Sequence, residues 1–194
     1  MLNINTLSIR FKKSITNYHR MESWRDLLNE ENFSGCRIRE STVPAIYPDD
    51  RIMCLEKCKE NLCGCYGTNW GCPPGFIADD DLSGYDSAIL VSREFQFEHD
   101  RDPSSIMSEM QKTVRDITLT LRRNKIECYG IADGGCGYCG ICAYPEPCRF
   151  PDMLIPSVSA LGIDIGRYLR ENGEEFSFTD GKATMYGIIL LKNI

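Results

Sequence analysis

Four cysteines lie close together in one run of the chain, and their spacing is that of a metal–sulfur centre. The run reads Cys136-Gly-Tyr-Cys139-Gly-Ile-Cys142, and Cys148 follows a few residues later with prolines around it. A CxxCxxC motif with one further cysteine is the usual way in which a protein holds an iron–sulfur cluster. A tight loop places three thiolates around one face of the cluster, and the fourth arrives from nearby. We therefore predict a 4Fe–4S cluster on Cys136, Cys139, Cys142 and Cys148.

Zinc is the alternative for this run, since Zn²⁺ also binds four thiolates, in tetrahedral geometry. Zinc ribbons usually carry two separated CxxC pairs, whereas a CxxCxxC motif puts three ligands into one tight loop. A disulfide framework fits less well, because Cys139 has two equidistant neighbours and a chain of 194 residues can fold without cross-links. The spacing favours the cluster, and zinc stays open as the second interpretation.

Five further cysteines lie within nineteen residues upstream: Cys54, Cys58, Cys63, Cys65 and Cys72. Glycine and proline interrupt this stretch, which favours a backbone wrapped around an inorganic group over a regular element. A second cluster is expected here. Three thiolates would leave one iron open to act as a Lewis acid on a substrate, whereas a fourth thiolate would close the site for electron transfer. Burial of some of these thiols as small apolar side chains is a further alternative.

Several separated motifs are similar to those of a family of predicted metal-binding proteins of unknown function, found mainly in anaerobic bacteria and archaea. The resemblance runs from about residue 51 to the C-terminus. It rests on CKENLCGCYG from Cys58, WGCPPG from Trp70, the run 136–151, GIDI from Gly162 and YGIILL from Tyr186. The family carries cysteine at the positions of Cys58, Cys63 and Cys72, and not regularly at Cys54 or Cys65. The resemblance implies metal binding of the iron–sulfur kind on those three thiols, and it implies no particular reaction.

The composition restricts compartment and partners. The chain has 11 cysteines, an odd number that leaves a thiol unpaired in any intramolecular disulfide scheme, so we expect a reducing compartment. Residues 1–13 show neither a secretory signal nor a membrane-spanning run, and we expect a cytoplasmic protein with no membrane partner. A net charge of −6 argues against nucleic acid as a partner, because phosphate contacts need a basic face. A redox partner protein or a small-molecule substrate is expected instead.

The elements that must position the cysteines are predicted from apolar periodicity. The apolar run 87–92 predicts a buried strand, and 126–132 predicts a second strand that leads into the downstream cysteines. Between them, apolar residues at three- and four-residue intervals predict an amphipathic helix that opens at Pro103 and includes Ile106, Met110, Val114, Ile117 and Leu121. A strand–helix–strand unit implies a parallel pair, with the cluster loop at the carboxyl end of the second strand.

The remaining segments complete an α+β fold. Residues 157–171 are predicted to be helical, weakened or broken at Gly162 and Gly166, and 176–191 are predicted to form a closing hairpin. We predict a short helix over 21–31 and an extended segment over 43–47. The expected architecture is a small mixed sheet with helices packed on it and two cysteine-rich cluster-binding loops. Residues 1–50 are predicted to be a helical or extended appendage, and 51–194 the cysteine-rich metal-binding domain.

Three functional hypotheses follow from these patterns. The first is an iron–sulfur protein that transfers electrons or serves as an accessory to a redox enzyme. The second is an enzyme whose three-cysteine cluster binds substrate at an open iron, for sulfur transfer or a dehydration-type reaction. The third is a zinc-stabilised interaction module. Hydrolase, kinase and nicotinamide-dehydrogenase functions have no support, because the sequence lacks their motifs.

Overall fold

The computed structural model of the protein describes residues 23–76, 82–96, 103–176, 178–179 and 181–192. In chain order its elements are α1 (Trp24–Leu27), β1 (Cys36–Ser41), α2 (Pro48–Lys59), β2 (Ser87–Gln96), α3 (Pro103–Arg123), β3 (Cys128–Ala132), α4 (Ile165–Glu171), β4 (Phe178–Thr179) and β5 (Lys182–Leu191). Two short 3₁₀ helices cover Pro151–Met153 and Val158–Leu161. Helices and an antiparallel sheet share one structure, so the predicted α+β class is confirmed.

The sheet is organised around its C-terminal strand, β5. On one side β5 pairs with β2 from Lys182 opposite Gln96 to Leu191 opposite Ser87, and on the other side it pairs with β3. Strand β1 adds to the outer edge of β2, so the strand order is β1-β2-β5-β3. The short β4 folds back on the start of β5 and forms the predicted closing hairpin.

The predicted parallel pair of β2 and β3 is not formed. Both strands are antiparallel to β5, which lies between them. Residues 186–191 of β5 are buried without interruption. Because a strand in the middle of a sheet is covered on both faces, this apolar run favours the central position for β5. Within the described residues, every strand pairing is antiparallel, and parallel pairing occurs as an isolated bridge between Ala132 and Ser157.

Helix α3 covers one face of the sheet. Its predicted apolar stripe is confirmed, because Ile106, Met110, Val114, Ile117 and Leu121 are each at most 1% exposed. The helix approaches the sheet closely at two glycines: a Cβ on Gly187 of β5 would clash with Val114, and one on Gly130 of β3 would clash with Thr118. On the opposite face, Leu90, Ile188 and Leu190 pack against the segment 158–169.

Residues 23–50 contain more regular secondary structure than predicted. The strand lies at Cys36–Ser41, before the predicted extended segment 43–47, and the predicted helix is the short α1. Leu27 and Leu28 are buried in the core beneath α3, so this part of the segment 1–50 is packed into the structure. The predicted boundary at residue 50 falls inside α2.

The stretch 157–171 is divided at Gly162 as predicted, whereas the predicted weakening at Gly166 is wrong, because Gly166 lies inside α4. The 3₁₀ helix Val158–Leu161 ends at Gly162, whose φ of 77° is left-handed, and α4 starts anew with Asp164 as its N-cap. A Cβ at Gly162 would come within 2.9 Å of the Cβ of Arg51, so the interruption lets α2 pack against this turn. Among the helices that the structure describes, none has the length and apolar character to cross a membrane.

Candidate metal centre

The two groups of cysteines come together in the fold. We call residues 61–76 the upstream segment, which follows α2, and residues 133–150 the downstream loop, which leaves the carboxyl end of β3 as predicted. Asn69 Nδ2 donates to the Cys136 carbonyl at 2.8 Å, and Trp70 Nε1 donates to the Glu146 carbonyl at 2.7 Å. Trp70 also packs edge-on against Tyr144, with ring centroids 5.1 Å apart. The two segments therefore form one continuous cysteine-rich face.

Glycines permit the closest contacts between the two segments. A Cβ on Gly71 would lie 2.9 Å from both the Cβ and the backbone nitrogen of Cys136. A Cβ on Gly135 would lie 2.9 Å from Cys65 Sγ. Real side chains do not approach so closely, so only glycine fits at these two positions without a shift of its neighbours. The contacts place Cys65 and Cys136 on adjoining parts of the same face.

The upstream thiols interact with one another. A hydrogen bond between the thiols of Cys65 and Cys72, assisted by the Gly135 N–H, lowers the pKa of Cys65. The Sγ of Cys65 also donates to the Cys63 carbonyl at 3.6 Å. The hydrogen bond between Cys65 and Cys72, together with burial, raises the pKa of Cys72 above its ordinary value. The nearby sulfurs of Cys63 and Cys58 add to this rise. Cys58, Cys63 and Cys72, which the family resemblance selects, are thus brought together, and Cys65 joins them.

Cys54 has a different environment from the other four. It lies one turn before Cys58 on α2 and is buried, and its Sγ donates to the Ile163 carbonyl at 3.5 Å. Burial raises its pKa to about 11. The prediction of a loop over this stretch is wrong for Cys54 and Cys58, which are helical. The glycines and prolines that suggested a loop begin only at Gly64.

The four predicted downstream ligands all lie in the downstream loop, where two of their sulfurs accept hydrogen bonds. Cys136 Sγ lies 3.5 Å from Arg115 Nη2, and Cys142 Sγ accepts the Trp70 N–H at 3.4 Å. Cys139 and Cys148 are half-buried. A bond from Arg149 Nη2 to the Ile141 carbonyl, at 2.5 Å, ties the end of the loop to its tip.

The donor set of the cysteine-rich face consists of thiols, which suit a metal-binding group. All eleven cysteines are free thiols. Within the described residues, no three Cys, His, Asp or Glu side chains converge so as to hold a single ion. In an iron–sulfur cluster each thiolate binds a different iron, so its ligands stand further apart than those of a mononuclear site. N–H donors directed at sulfur also favour a group with negative charge on its thiolates, so the residues fit a cluster.

A buried polar stripe on α3, which was not predicted from the sequence, lies against the downstream loop. Gln111 and Arg115 are buried, and so is Thr118. Gln111 Nε2 donates to the carbonyls of Asp133, at 3.2 Å, and Gly134, at 2.8 Å, while its Oε1 has no partner among the residues that the structure describes. The spacing of these residues, four and three positions apart beside the apolar stripe, was the signal that could have revealed a buried polar face.

Comparison with known proteins gives one match. Residues 48–191 match a family described as "Predicted metal-binding protein (DUF2284)". The match extends from α2 to β5 and so includes both the upstream segment and the downstream loop. No curated protein and no solved structure matches the chain.

Proposed function

Because the chain belongs to this family of predicted metal-binding proteins, we propose that it is a cytoplasmic iron–sulfur protein with two clusters. The downstream loop holds a 4Fe–4S cluster through Cys136, Cys139, Cys142 and Cys148. The upstream thiols hold a second cluster: Cys58, Cys63, Cys65 and Cys72. The protein transfers electrons, as an accessory to a partner redox enzyme.

The environment of Cys65 is the observation that carries this proposal. Its sulfur packs against the downstream loop, where a Cβ on Gly135 would come within 2.9 Å of it, and its interaction with Cys72 and the Gly135 N–H lowers its pKa, which favours a thiolate. Cys54, the other candidate for the fourth ligand, is buried against the Ile163 carbonyl. A fourth thiolate closes the upstream cluster and leaves no iron open to substrate. This supports electron transfer over substrate binding.

The protein groups around the sulfurs suit a redox role. When bound, such clusters accept and release single electrons, and hydrogen bonds to their sulfurs tune the reduction potential. The N–H groups of Gly135 and Trp70 face Cys65 and Cys142. Because these donors belong to backbone held by glycine contacts and by the Trp70 side chain, they stay directed at sulfur. The chain thereby stabilises the negative charge that a reduced cluster carries.

The contact between the two segments supports passage of electrons between the clusters. Gly71, next to Cys72, touches Cys136, and Gly135, next to Cys136, touches Cys65. A ligand of each cluster is therefore within one residue of a ligand of the other. Clusters held by these residues would have ligands in adjoining parts of one face, which supports electron transfer between them.

Chemical analysis of protein purified without oxygen tests the proposal. Two 4Fe–4S clusters require about eight iron and about eight acid-labile sulfide per chain, and the protein should be brown. A folded, colourless protein with stoichiometric zinc and no sulfide would contradict the proposal and support a zinc-stabilised module. If the protein holds only about four iron atoms per chain, with sulfide, and Cys139→Ser loses them, the downstream cluster would be the one that is present.

A further inference from the structure

Arg115 is a positive charge held inside the protein, and it pairs with no carboxylate in the part of the chain that the structure describes. Its side chain leaves the middle of α3 and is only 6% exposed. Asp116, the next residue, pairs with Lys112 instead, and Arg115 makes no ion pair with any carboxylate that the structure describes. A buried guanidinium without a negative partner is destabilising. The position of Arg115 thus calls for an anion nearby.

The nearest candidate for that anion is Cys136. Arg115 Nη2 lies 3.5 Å from Cys136 Sγ, while its Nε donates to the Met153 carbonyl at 2.8 Å. The guanidinium also lies 5.2 Å from the ring centroid of Tyr138. A carbonyl and a ring orient the group without neutralising it. A thiolate bound to a cluster, in contrast, carries negative charge at the sulfur that Arg115 faces.

We infer that Arg115 is a positioning residue for the downstream cluster, whose charge faces the Cys136 thiolate and raises the reduction potential of that cluster. The inference rests on the proposed function. Reduction adds an electron to the cluster, and a nearby positive charge stabilises the more negative, reduced form. The surroundings keep the guanidinium in place, because the Met153 carbonyl holds its Nε and Gln111 holds the start of the downstream loop.

Arg122 provides a matched control on the same helix. It lies two turns after Arg115 and donates to the backbone carbonyls of Cys128 and Asp152, and the sulfur that it acts on is that of Cys128, which is not a proposed ligand. Substitution of either arginine by glutamine removes one positive charge and keeps an N–H donor. Only Arg115→Gln removes the charge that faces a cluster ligand.

The test is an anaerobic redox titration of the iron–sulfur protein, followed by electron paramagnetic resonance. We expect Arg115→Gln to lower the reduction potential of one of the two clusters. The expected shift is about tenfold towards the oxidised form, which for one electron is about 59 mV. Arg122→Gln should shift the potential by less than a third of that. Arg115→Lys keeps a buried charge, so it should fold even where Arg115→Gln does not. Because an ammonium lacks the planar fork, its shift should lie between those of the two glutamine variants.

The outcomes separate this inference from the proposed function. If the clusters are present but Arg115→Gln and Arg115→Lys both have the wild-type reduction potential, the role of Arg115 is overturned. The proposed function would remain intact. Equal shifts for the Arg115 and Arg122 variants would do the same, since the effect would then be one of net charge. Wild-type protein without iron and sulfide would overturn both.

Discussion

Individual cysteines differ in this protein because their neighbours differ. Cys54 and Cys128 donate to backbone carbonyls, and burial raises the pKa of each to about 11, so both are structural thiols. Cys65 and Cys136 also donate to backbone carbonyls, those of Cys63 and Met153, but Cys136 and Cys142 accept hydrogen bonds as well, from Arg115 and from the Trp70 N–H. Their positions differ as well: Cys54 lies on α2 and Cys128 on β3, whereas Cys65, Cys136 and Cys142 lie in the upstream segment and the downstream loop.

Substitution of Cys65 tests its assignment as the fourth upstream ligand. We expect Cys65→Ser to lose the upstream cluster, and so about half of the iron and sulfide. Cys54→Ser is the matched control: its hydroxyl can still donate to the Ile163 carbonyl, so the full content should remain. Iron and sulfide analysis of both variants makes the measurement. Full iron in Cys65→Ser would point to a three-thiolate cluster with an open iron, and hence to the enzyme hypothesis.

Asp133, at the start of the downstream loop, should make stability depend on pH. Burial raises the pKa of its carboxyl to about 6, although its Oδ2 accepts the Tyr186 N–H. The unfolded chain releases this proton near pH 4, so the folded state holds the proton more tightly between pH 4 and 6. Its contribution to stability is present below pH 4 and is lost as the pH rises through 6.

The variant Asp133→Asn removes this titration and keeps an acceptor for the Tyr186 N–H. We expect it to match the wild type near pH 4 and to be more stable at pH 7 by about 1–2 kcal/mol, reduced from the full shift because the residue is partly exposed. Urea denaturation at several pH values, with both proteins in the same metal state, measures the difference. A constant difference across this range would show that Asp133 does not titrate in it.

Among the elements, α3 has two roles. Its apolar stripe covers the sheet, and its buried polar stripe contacts the downstream loop through Gln111 and Arg115. The contact between Val114 and Gly187 of β5 determines how closely α3 approaches the sheet. A change in this packing therefore also moves the side chains that face the cysteines.

Gly187→Ala should be strongly destabilising, because its Cβ would clash with Val114 and lie 3.2 Å from Met110 Cε. Overpacking of this kind lowers the free energy of unfolding by about 1–3 kcal/mol. Gly84→Ala is the control: its Cβ has no neighbour closer than Lys192 Cε at 3.9 Å, and the change should be within about 0.5 kcal/mol. Urea denaturation measures both. Equal stability of the two variants would mean that α3 can shift without loss.

The whole molecule divides into an apolar body and a cysteine-rich face. The body consists of the sheet with α3 on one side and the segment 158–169 on the other, and its core residues are buried. The face consists of the upstream segment and the downstream loop, which lack regular helices and strands. Among the described residues, hydrogen bonds such as that from Asn69 to the Cys136 carbonyl join the two segments, and bound metal would add to these links.

Removal of metal should therefore loosen the face and leave the body folded. After chelation without oxygen, we expect faster hydrogen exchange in residues 61–76 and 133–150, with little change in β2, β5 and α3. Far-ultraviolet circular dichroism should remain close to that of the loaded protein. Exchange that rises throughout β5 would show instead that metal is required for the entire fold.

The sequence by itself determined most of the elements and the downstream cysteine loop. Strands β2 and β3, helix α3 and the closing hairpin follow from apolar periodicity and turn residues, because these report burial and chain reversal within a few positions. The same local logic grouped Cys136, Cys139, Cys142 and Cys148 in one loop. It failed over α2 and β1, whose weak apolar patterns do not show that the tertiary structure packs them.

Only the tertiary structure decided how these parts meet. It placed β5 between β2 and β3, brought Cys65 to Gly135, and set Arg115 against Cys136. Each of these contacts joins residues that are far apart in the chain, and no local spacing encodes such a contact. The close fit of glycine against sulfur and of Val114 against Gly187 depends on the packing of complete elements. For that physical reason the ligand candidates were visible in the sequence, and their neighbours were not.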